Sequence, residues 1–402
     1  RLTNIIIMAS ALYQKEVFSI YGVIILLTIV GIFTDKIPLQ INICLHSVLI
    51  IAIGSIKSME ELLKQMKKVH IDKIKTDSPI EKMSFNDAWQ FPIYAGFTLV
   101  GLYFGMEYFG KEFVNYFLLA YIGFGGATGI KALLTAIVND MLDVYDKENV
   151  IDIKVKLIGL ELEMTILDLL CLVISLILVG LYVMFQSFVF NNFLAIIFSI
   201  FSLQTMFIGN FKNGFLLLVL LFFYDIFFVF GTDVMLTVAK GIDAPIKIKF
   251  PKDYSGEKPE FGILGLGDIV IPGVVVSLCL RFDMLKSIDI EKLSRMIERE
   301  EKGDGKVNTM EYLFKQAVNC PKDYFKAINV GYLLAMICTI LVMLIFDHGQ
   351  PALLYLVPGC IISVMITAAL KGEVSKMWAF DEEPFITAPG EDSEEEDTKK
   401  DK

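Results

Sequence analysis

The chain has 402 residues, of which 55% are hydrophobic, 12% aromatic and 20% charged, with a net charge of −10; its mean hydropathy is +0.61. That balance excludes an ordinary soluble domain and points to a polytopic α-helical membrane protein. Much of the negative charge sits in one tail stretch, Glu391–Asp397 (EDSEEED), so the net charge says nothing about nucleic acid, and no nucleic-acid partner is expected.

The first apolar run is Val17–Phe33, which reads either as a signal-like segment or as an extra span; no small-x-small cleavage site is evident around Val30–Asp35. Spans are then expected at Ile41–Ile56, Trp89–Tyr108, Phe113–Ile137, Ile166–Phe185, Phe188–Ile208, Gly214–Leu236, Phe261–Leu280, Phe325–Phe346 and Pro351–Leu370. The stretch between the first two, Lys57–Asn86, is rich in lysine. Placing it in the cytosol and alternating from there puts most basic residues on the cytosolic side, and the C-terminus with them. Three divisions follow: an N-terminal apolar segment 1–40, a nine-span core 41–373 with a charged insertion at 286–322, and an acidic, disordered tail 374–402. The six cysteines are scattered without CxxC spacing and read as small core residues.

Two loops have character. Ile246, Ile248 and Phe250 alternate with Lys247 and Lys249 between Pro245 and Pro251, a strand pattern with an open edge. In the insertion, Ile290, Leu293, Met296 and Ile297 recur at helical spacing. Glu300–Glu311 has the glycine, aliphatic and final glutamate of a calcium loop, but Lys302 stands where a ligand oxygen is needed, so a solvated helix–turn–helix is expected and no metal site.

The chemistry concentrates on acids inside apolar runs. Asp225 lies in LLFFYDIFFVFG and Asp268 in FGILGLGDIVIP, and a carboxylate at bilayer depth costs a few kcal/mol, roughly 2.5–3.5 on insertion scales. Two such acids on neighbouring spans suggest a pair sharing one proton, the apparatus that lets water attack a peptide bond. Tyr224 could donate to a carboxylate. Gly265 and Gly267 would let backbone approach closely and loosen the helix beside Asp268. Asp233, eight residues after Asp225, reads as an interfacial acid. In QPALLYLVP, Pro351 suits a helix first turn and Ala352 permits a close neighbour; alone, this is a kinked packing helix.

YD in one span, GLGD in the next and QPAL at the start of the last form, together and in order, the motif set of the GxGD intramembrane aspartyl proteases. The words YDIFFVFGTDVMLTVAK, GLGDIVIPG, LRFD, QPALLYLVPGC and KGEV resemble the signal peptide peptidase branch more than the presenilin branch. The resemblance covers Ile41 to Glu373. It implies a presenilin-like nine-helix bundle, with Asp225 and Asp268 catalytic. It also implies a supporting element at Gln350, Pro351, Ala352 and Leu353, no cofactor, and cleavage inside transmembrane peptides such as signal-peptide remnants and type II membrane proteins. The last residues, Lys399-Lys400-Asp401-Lys402, resemble a retrieval signal of endoplasmic reticulum membrane proteins. Homo-oligomerisation is compatible with the sequence and not fixed by it. The insertion 286–322 and the run Val17–Phe33 depart from the family pattern. Composition alone would also allow a transporter or channel that relays protons or cations through the two acids, or an inactive binder of signal peptides.

Three readings follow for the site. Pro351–Leu353 should pack near Asp268, Ile246–Phe250 should add a strand to an unwound substrate, and the two acids should act as one unit.

Overall fold

The computed structural model describes residues 38–66, 81–142, 150–151, 164–185, 187–242, 244–251, 261–301, 309–346 and 350–386, together with isolated positions at 22–24, 27 and 69. The run Val17–Phe33 lies almost wholly outside these residues, as do the calcium-loop residues 302–308 and the retrieval-like terminus.

Nine helices of span length are found among the described residues: α1 (Leu39–Met66), α2 (Phe85–Tyr108), α3 (Lys111–Leu142), α4 (Ile166–Phe185), α5 (Phe188–Thr205), α6 (Phe211–Phe230), α8 (Gly267–Lys286), α11 (Asp323–Phe346) and α12 (Leu353–Leu370). Five shorter helices join them: α7 (Val234–Gly241), α9 (Ile290–Glu301), α10 (Thr309–Asn319), α13 (Val374–Trp378) and α14 (Glu383–Ile386). By length and composition alone, α1, α4, α5, α6, α11, α12 and the Lys111–Ala132 part of α3 are apolar enough to cross a membrane. Helices α2 and α8 have the length but carry more polar side chains. The protein is an all-α polytopic membrane protein. Its few strands are short: β1 (Glu81–Lys82) pairs parallel with β4 (Met206–Phe207), β2 (Val150–Ile151) antiparallel with β3 (Met164–Thr165), and β5 (Lys247–Pro251) antiparallel with β6 (Phe261–Gly265).

The chain divides into two compact bodies, Arg1–Thr98 with Ser202–Asp233 and Gly267–Lys402, and Leu99–Phe201 with Val234–Leu266. In the first, α8 is the axis: from Pro272 to Leu285 every residue is buried. An all-round buried helix needs neighbours on every side, and α1, α6, α11 and α12 all pack on it. Helices α11 and α12 approach most closely through glycines. A Cβ on Gly331 would come within 2.6 Å of the Gly359 carbonyl, and one on Gly359 within 2.6 Å of Ala335 Cβ, so no larger residue fits either place without movement.

One end of this body is closed by a core of Met59, Leu62, Leu63, Leu280, Met284, Leu293 and Leu313. It explains why α1 continues to Met66, beyond the apolar run Ile41–Ile56. Met59, Leu62, Leu63 and Met66 keep one apolar face, and Lys57–Glu60 (2.8 Å) pairs along the polar one. The charged insertion is therefore not a solvated excursion: Leu293, Leu313 and Ala317 seat its two helices in this core, whereas Ile290 points outward at 65% exposure.

Beneath the core lies a buried ion pair. Arg281 of α8 donates through Nε to Glu382 Oε1 (2.7 Å) and through Nη2 to Oε2 (3.2 Å). Its Nη1 donates to Ser58 Oγ (2.5 Å), and its guanidinium lies 4.2 Å from the Phe207 ring centroid. Burial pushes the Glu382 carboxyl up from the usual range, against the pull of Arg281. The division 374–402 as a disordered tail is thus corrected for its first part. Val374–Trp378 and Glu383–Ile386 are helical, Glu382 is fully buried, and Phe380 and Phe385 pack on the core. Asp283 of α8 accepts the Phe325 amide (3.0 Å), so it caps the N-terminus of α11 from a neighbouring helix.

In the second body, α3 packs on α4. A small cluster of Met106, Val114, Val238, Ile242 and Ala244 holds α7, while Asn115 donates to the Gly241 carbonyl (3.1 Å). The β5–β6 hairpin completes this body.

Candidate active site

Asp225 sits on α6 and Asp268 in the first turn of α8, both in the first body. Asp225 is 4% exposed and Asp268 is half-buried, and the helices that carry them pack on each other. The expected span Phe261–Leu280 is corrected here: it opens as strand β6 and turns helical only at Gly267. The GLGD segment therefore forms a strand-to-helix junction. Gly265 ends the strand and Gly267 begins the helix, so neither lies inside a helix to loosen it. A Cβ on Gly267 would meet only Ile271 Cδ1, at 3.8 Å, so this glycine leaves room beside Asp268 and makes no close backbone contact there.

The QPAL element meets Asp225. Helix α12 begins at Leu353, with Ala352 at its N-cap and no side-chain capping bond. Alanine is a poor cap because it offers no acceptor to the first-turn amides. Asp225 supplies the acceptor from α6: the Leu353 N–H donates to Asp225 Oδ2 at 3.0 Å. A helix N-terminus thus faces one of the two acids, where its amides and dipole favour an anionic group. The contact found is with Asp225 on α6, whereas the sequence pointed to Asp268; α12 packs on both α6 and α8. Pro351 lies two residues before the helix, buried, and its carbonyl accepts the Leu354 amide (3.3 Å). Gln350 is half-buried ahead of it.

Tyr224 precedes Asp225 on α6. Its ring packs on Phe228, centroids 4.6 Å apart, and lies 3.7 Å from the Cβ that Gly96 of α2 would carry. Among the described residues its hydroxyl makes no hydrogen bond to Asp225. Asp233 is exposed and follows the end of α6 at Phe230, so it shares no helix face with Asp225.

A residue that sequence reasoning did not single out reaches the site from α11. Tyr332 is fully buried, and its hydroxyl donates to the backbone carbonyl of Asp268 at 3.1 Å.

The strand expected at Ile246–Phe250 is present as β5, one residue later, with Ile248 and Phe250 buried. Its open edge is not. The Asn192 side chain of α5 accepts the Lys249 N–H (2.8 Å) and donates to the Lys249 carbonyl (2.7 Å), while Asn191 donates to the Lys247 carbonyl (2.7 Å). Leu266 N–H donates to the Ile246 carbonyl (3.0 Å), which fixes the alternation. Ile246, Ile248 and Phe250 turn their backbone groups to β6, and Lys247 and Lys249 turn theirs to the asparagines. On β6, the same alternation turns the backbone of Ile263 outward, opposite Lys249 in the register. Ile263 is 55% exposed, and no described strand pairs with that side. Among the described residues, the edge of the hairpin that no strand or side chain is seen to pair is that of β6.

Comparison with known proteins agrees with the motif set. The family described as signal peptide peptidase matches residues 75–384. The chain is 34% identical to the signal peptide peptidase of Mus musculus over 339 residues, 81% of each chain. It is 34% identical to that of Homo sapiens over 319 residues, 76% of each. It is also 40% identical to intramembrane protease 2 of Caenorhabditis elegans over 205 residues, half of this chain and 40% of that one. No solved structure matches. With the matched region spanning both intramembrane acids and the α12 element that contacts one of them, the chain belongs to the signal peptide peptidase family.

Proposed function

We propose that Asp225 and Asp268 are the catalytic pair through which this intramembrane-cleaving aspartyl protease hydrolyses peptide bonds inside transmembrane segments. The observation that carries the assignment is two acids on helices that pack on each other, one of them bonded to the start of α12. Like charges so placed cannot both ionise cheaply, so the pair holds one proton between them. The ionised member takes a proton from a water, and the water oxygen bonds to the scissile carbonyl carbon. The protonated member gives its proton to the carbonyl oxygen. Collapse of the tetrahedral diol breaks the C–N bond, and a proton passes to the leaving amine. No acyl-enzyme forms, and the chemistry asks for no cofactor.

A substrate helix hides its scissile carbonyl in its own hydrogen bonds and must unwind first. The chain places β6 directly before Asp268, with Gly265 three residues from it. An unwound substrate that pairs with the outer edge of β6 would satisfy its freed backbone groups. In this reading Ile248 and Phe250 of β5 anchor β6 from behind, and Ile263 offers the pairing groups. The substrates are transmembrane peptides, signal-peptide remnants and type II membrane proteins among them. The lysine bias of the loops supports a cytosolic location for the segment after α12.

The test is purified protein in lipid bilayers with a synthetic signal-peptide substrate, products mapped by mass spectrometry in water enriched in oxygen-18. The reading predicts scission within the apolar segment and one heavy oxygen in the new carboxyl terminus. Ion flux through the same vesicles without scission would favour the transporter reading instead.

A further inference from the structure

In an α-helix the carbonyl of residue i accepts the N–H of residue i+4. For Asp268 that partner is Pro272, which lies inside α8 and has no N–H. The proline ring also crowds the carbonyl four residues earlier. The sequence DIVIP therefore strands the backbone carbonyl of the acid itself, in the first turn of a helix that is buried without a break from Pro272 to Leu285. A stranded buried carbonyl needs a donor from elsewhere. Tyr332 of α11 provides one: its hydroxyl lies 3.1 Å from the Asp268 oxygen, and because a carbonyl only accepts, the proton direction is fixed. The ring is fully buried, and its neighbour Gly331 packs closely on α12.

We propose that Tyr332 is a positioning residue for hydrolysis: its hydroxyl replaces the amide that Pro272 lacks and so fixes the first turn of α8, and the Asp268 carboxylate with it, in the reactive geometry. The inference rests on the assignment of Asp268 as catalytic. Proline at this point has a use. A normal helical bond would tie the first turn to the helix below it. The tyrosine instead ties it to α11, so the packing of α11 against α8 sets the place of the acid.

Tyr332→Phe removes one oxygen and keeps the ring. In bilayers with a signal-peptide substrate it should lower kcat about tenfold, the scale of one lost hydrogen bond, with KM changed less than twofold. A merely structural tyrosine would not be rescued by an amide. Pro272→Ala returns an N–H at residue 272, so in the Pro272→Ala background the Tyr332→Phe change should cost less than twofold. Parental turnover in Tyr332→Phe overturns the proposal, and so do losses that multiply in the double variant. If Tyr332→Phe alone does not fold, the double variant decides: folded and as active as Pro272→Ala upholds the role, folded but inactive refutes it. Asp268→Asn in parallel separates the two claims, since turnover in that variant would refute the catalytic assignment, whereas an inactive Asp268→Asn beside a fully active Tyr332→Phe refutes only the tyrosine.

Discussion

Replacing Arg281 with methionine isolates the ion pair that docks the segment after α12. The substitution removes both bonds to Glu382, the bond to Ser58 and the contact with the Phe207 ring. It also leaves Glu382, fully buried, without the counter-charge of Arg281, while its backbone N–H remains on the Gly209 carbonyl (2.9 Å). Breaking one side of such a pair costs about 3–5 kcal/mol, much of it the penalty of the orphaned charge. Removing both charges is different: Arg281→Met with Glu382→Leu should lie within about 1–2 kcal/mol of the parent, because two desolvation costs vanish together. Denaturant unfolding in detergent micelles, followed by tryptophan fluorescence, measures the cycle; Trp378 sits on α13 beside this region, 6.3 Å from the Phe215 ring. Equal stability of Arg281→Met and parent, or a double variant as weak as the sum of the singles, would show that the pair does not hold the segment.

Three further outcomes follow from single contacts. Asn192→Ala should expose the outer edge of β5 and speed amide hydrogen exchange at Lys249, at a cost of about 1–3 kcal/mol for the unmet groups; unchanged exchange would mean the asparagine is not the cap. The Lys286–Glu373 bond (2.7 Å) holds the Glu373 carboxyl below the usual glutamate range, so its stabilisation is full above the ordinary value of 4.5 and is lost as the pH falls through the lower folded value. Glu373→Gln should flatten that acid limb in a stability–pH series, and an identical limb would discard the linkage. Ile263→Pro removes an N–H from the outer edge of β6 and none from the β5 ladder, so cleavage of a signal-peptide substrate should fall about tenfold while the hairpin stays intact; cleavage at the parental rate would leave the edge without a role in substrate capture.

What the sequence made legible is local or chemical. The two acids stand out because a carboxylate in an apolar run needs a reason, and the lysine–isoleucine alternation of β5 has a period that only a strand uses. The ends of the apolar runs mislead where polar chemistry continues a helix: α1 outlasts its run because its methionines and leucines keep one face. Most of what the sequence hides is long-range. Nothing near Lys249 announces that Asn192, 57 residues away, will cap it. Nothing near Arg281 announces Glu382, 101 residues on, so an acidic stretch that looks disordered conceals a docked residue. The Asp268 carbonyl is an intermediate case. Pro272 makes its need for a donor readable from five consecutive letters, whereas the identity of that donor, Tyr332, depends on how α11 packs. The same limit applies to the α12 element: an alanine cap signals an unmet amide, but only the fold assigns Asp225 to it.

The central claim is that Asp225 and Asp268 act as one catalytic unit. It is tested most directly by the turnover of Asp225→Asn and Asp268→Asn, each purified, shown to be folded by its unfolding midpoint, and given a signal-peptide substrate in bilayers. The account predicts no measurable cleavage by either variant, with stability equal to or above that of the parent because a neutral amide is cheaper to bury. Appreciable cleavage by either folded variant would contradict it.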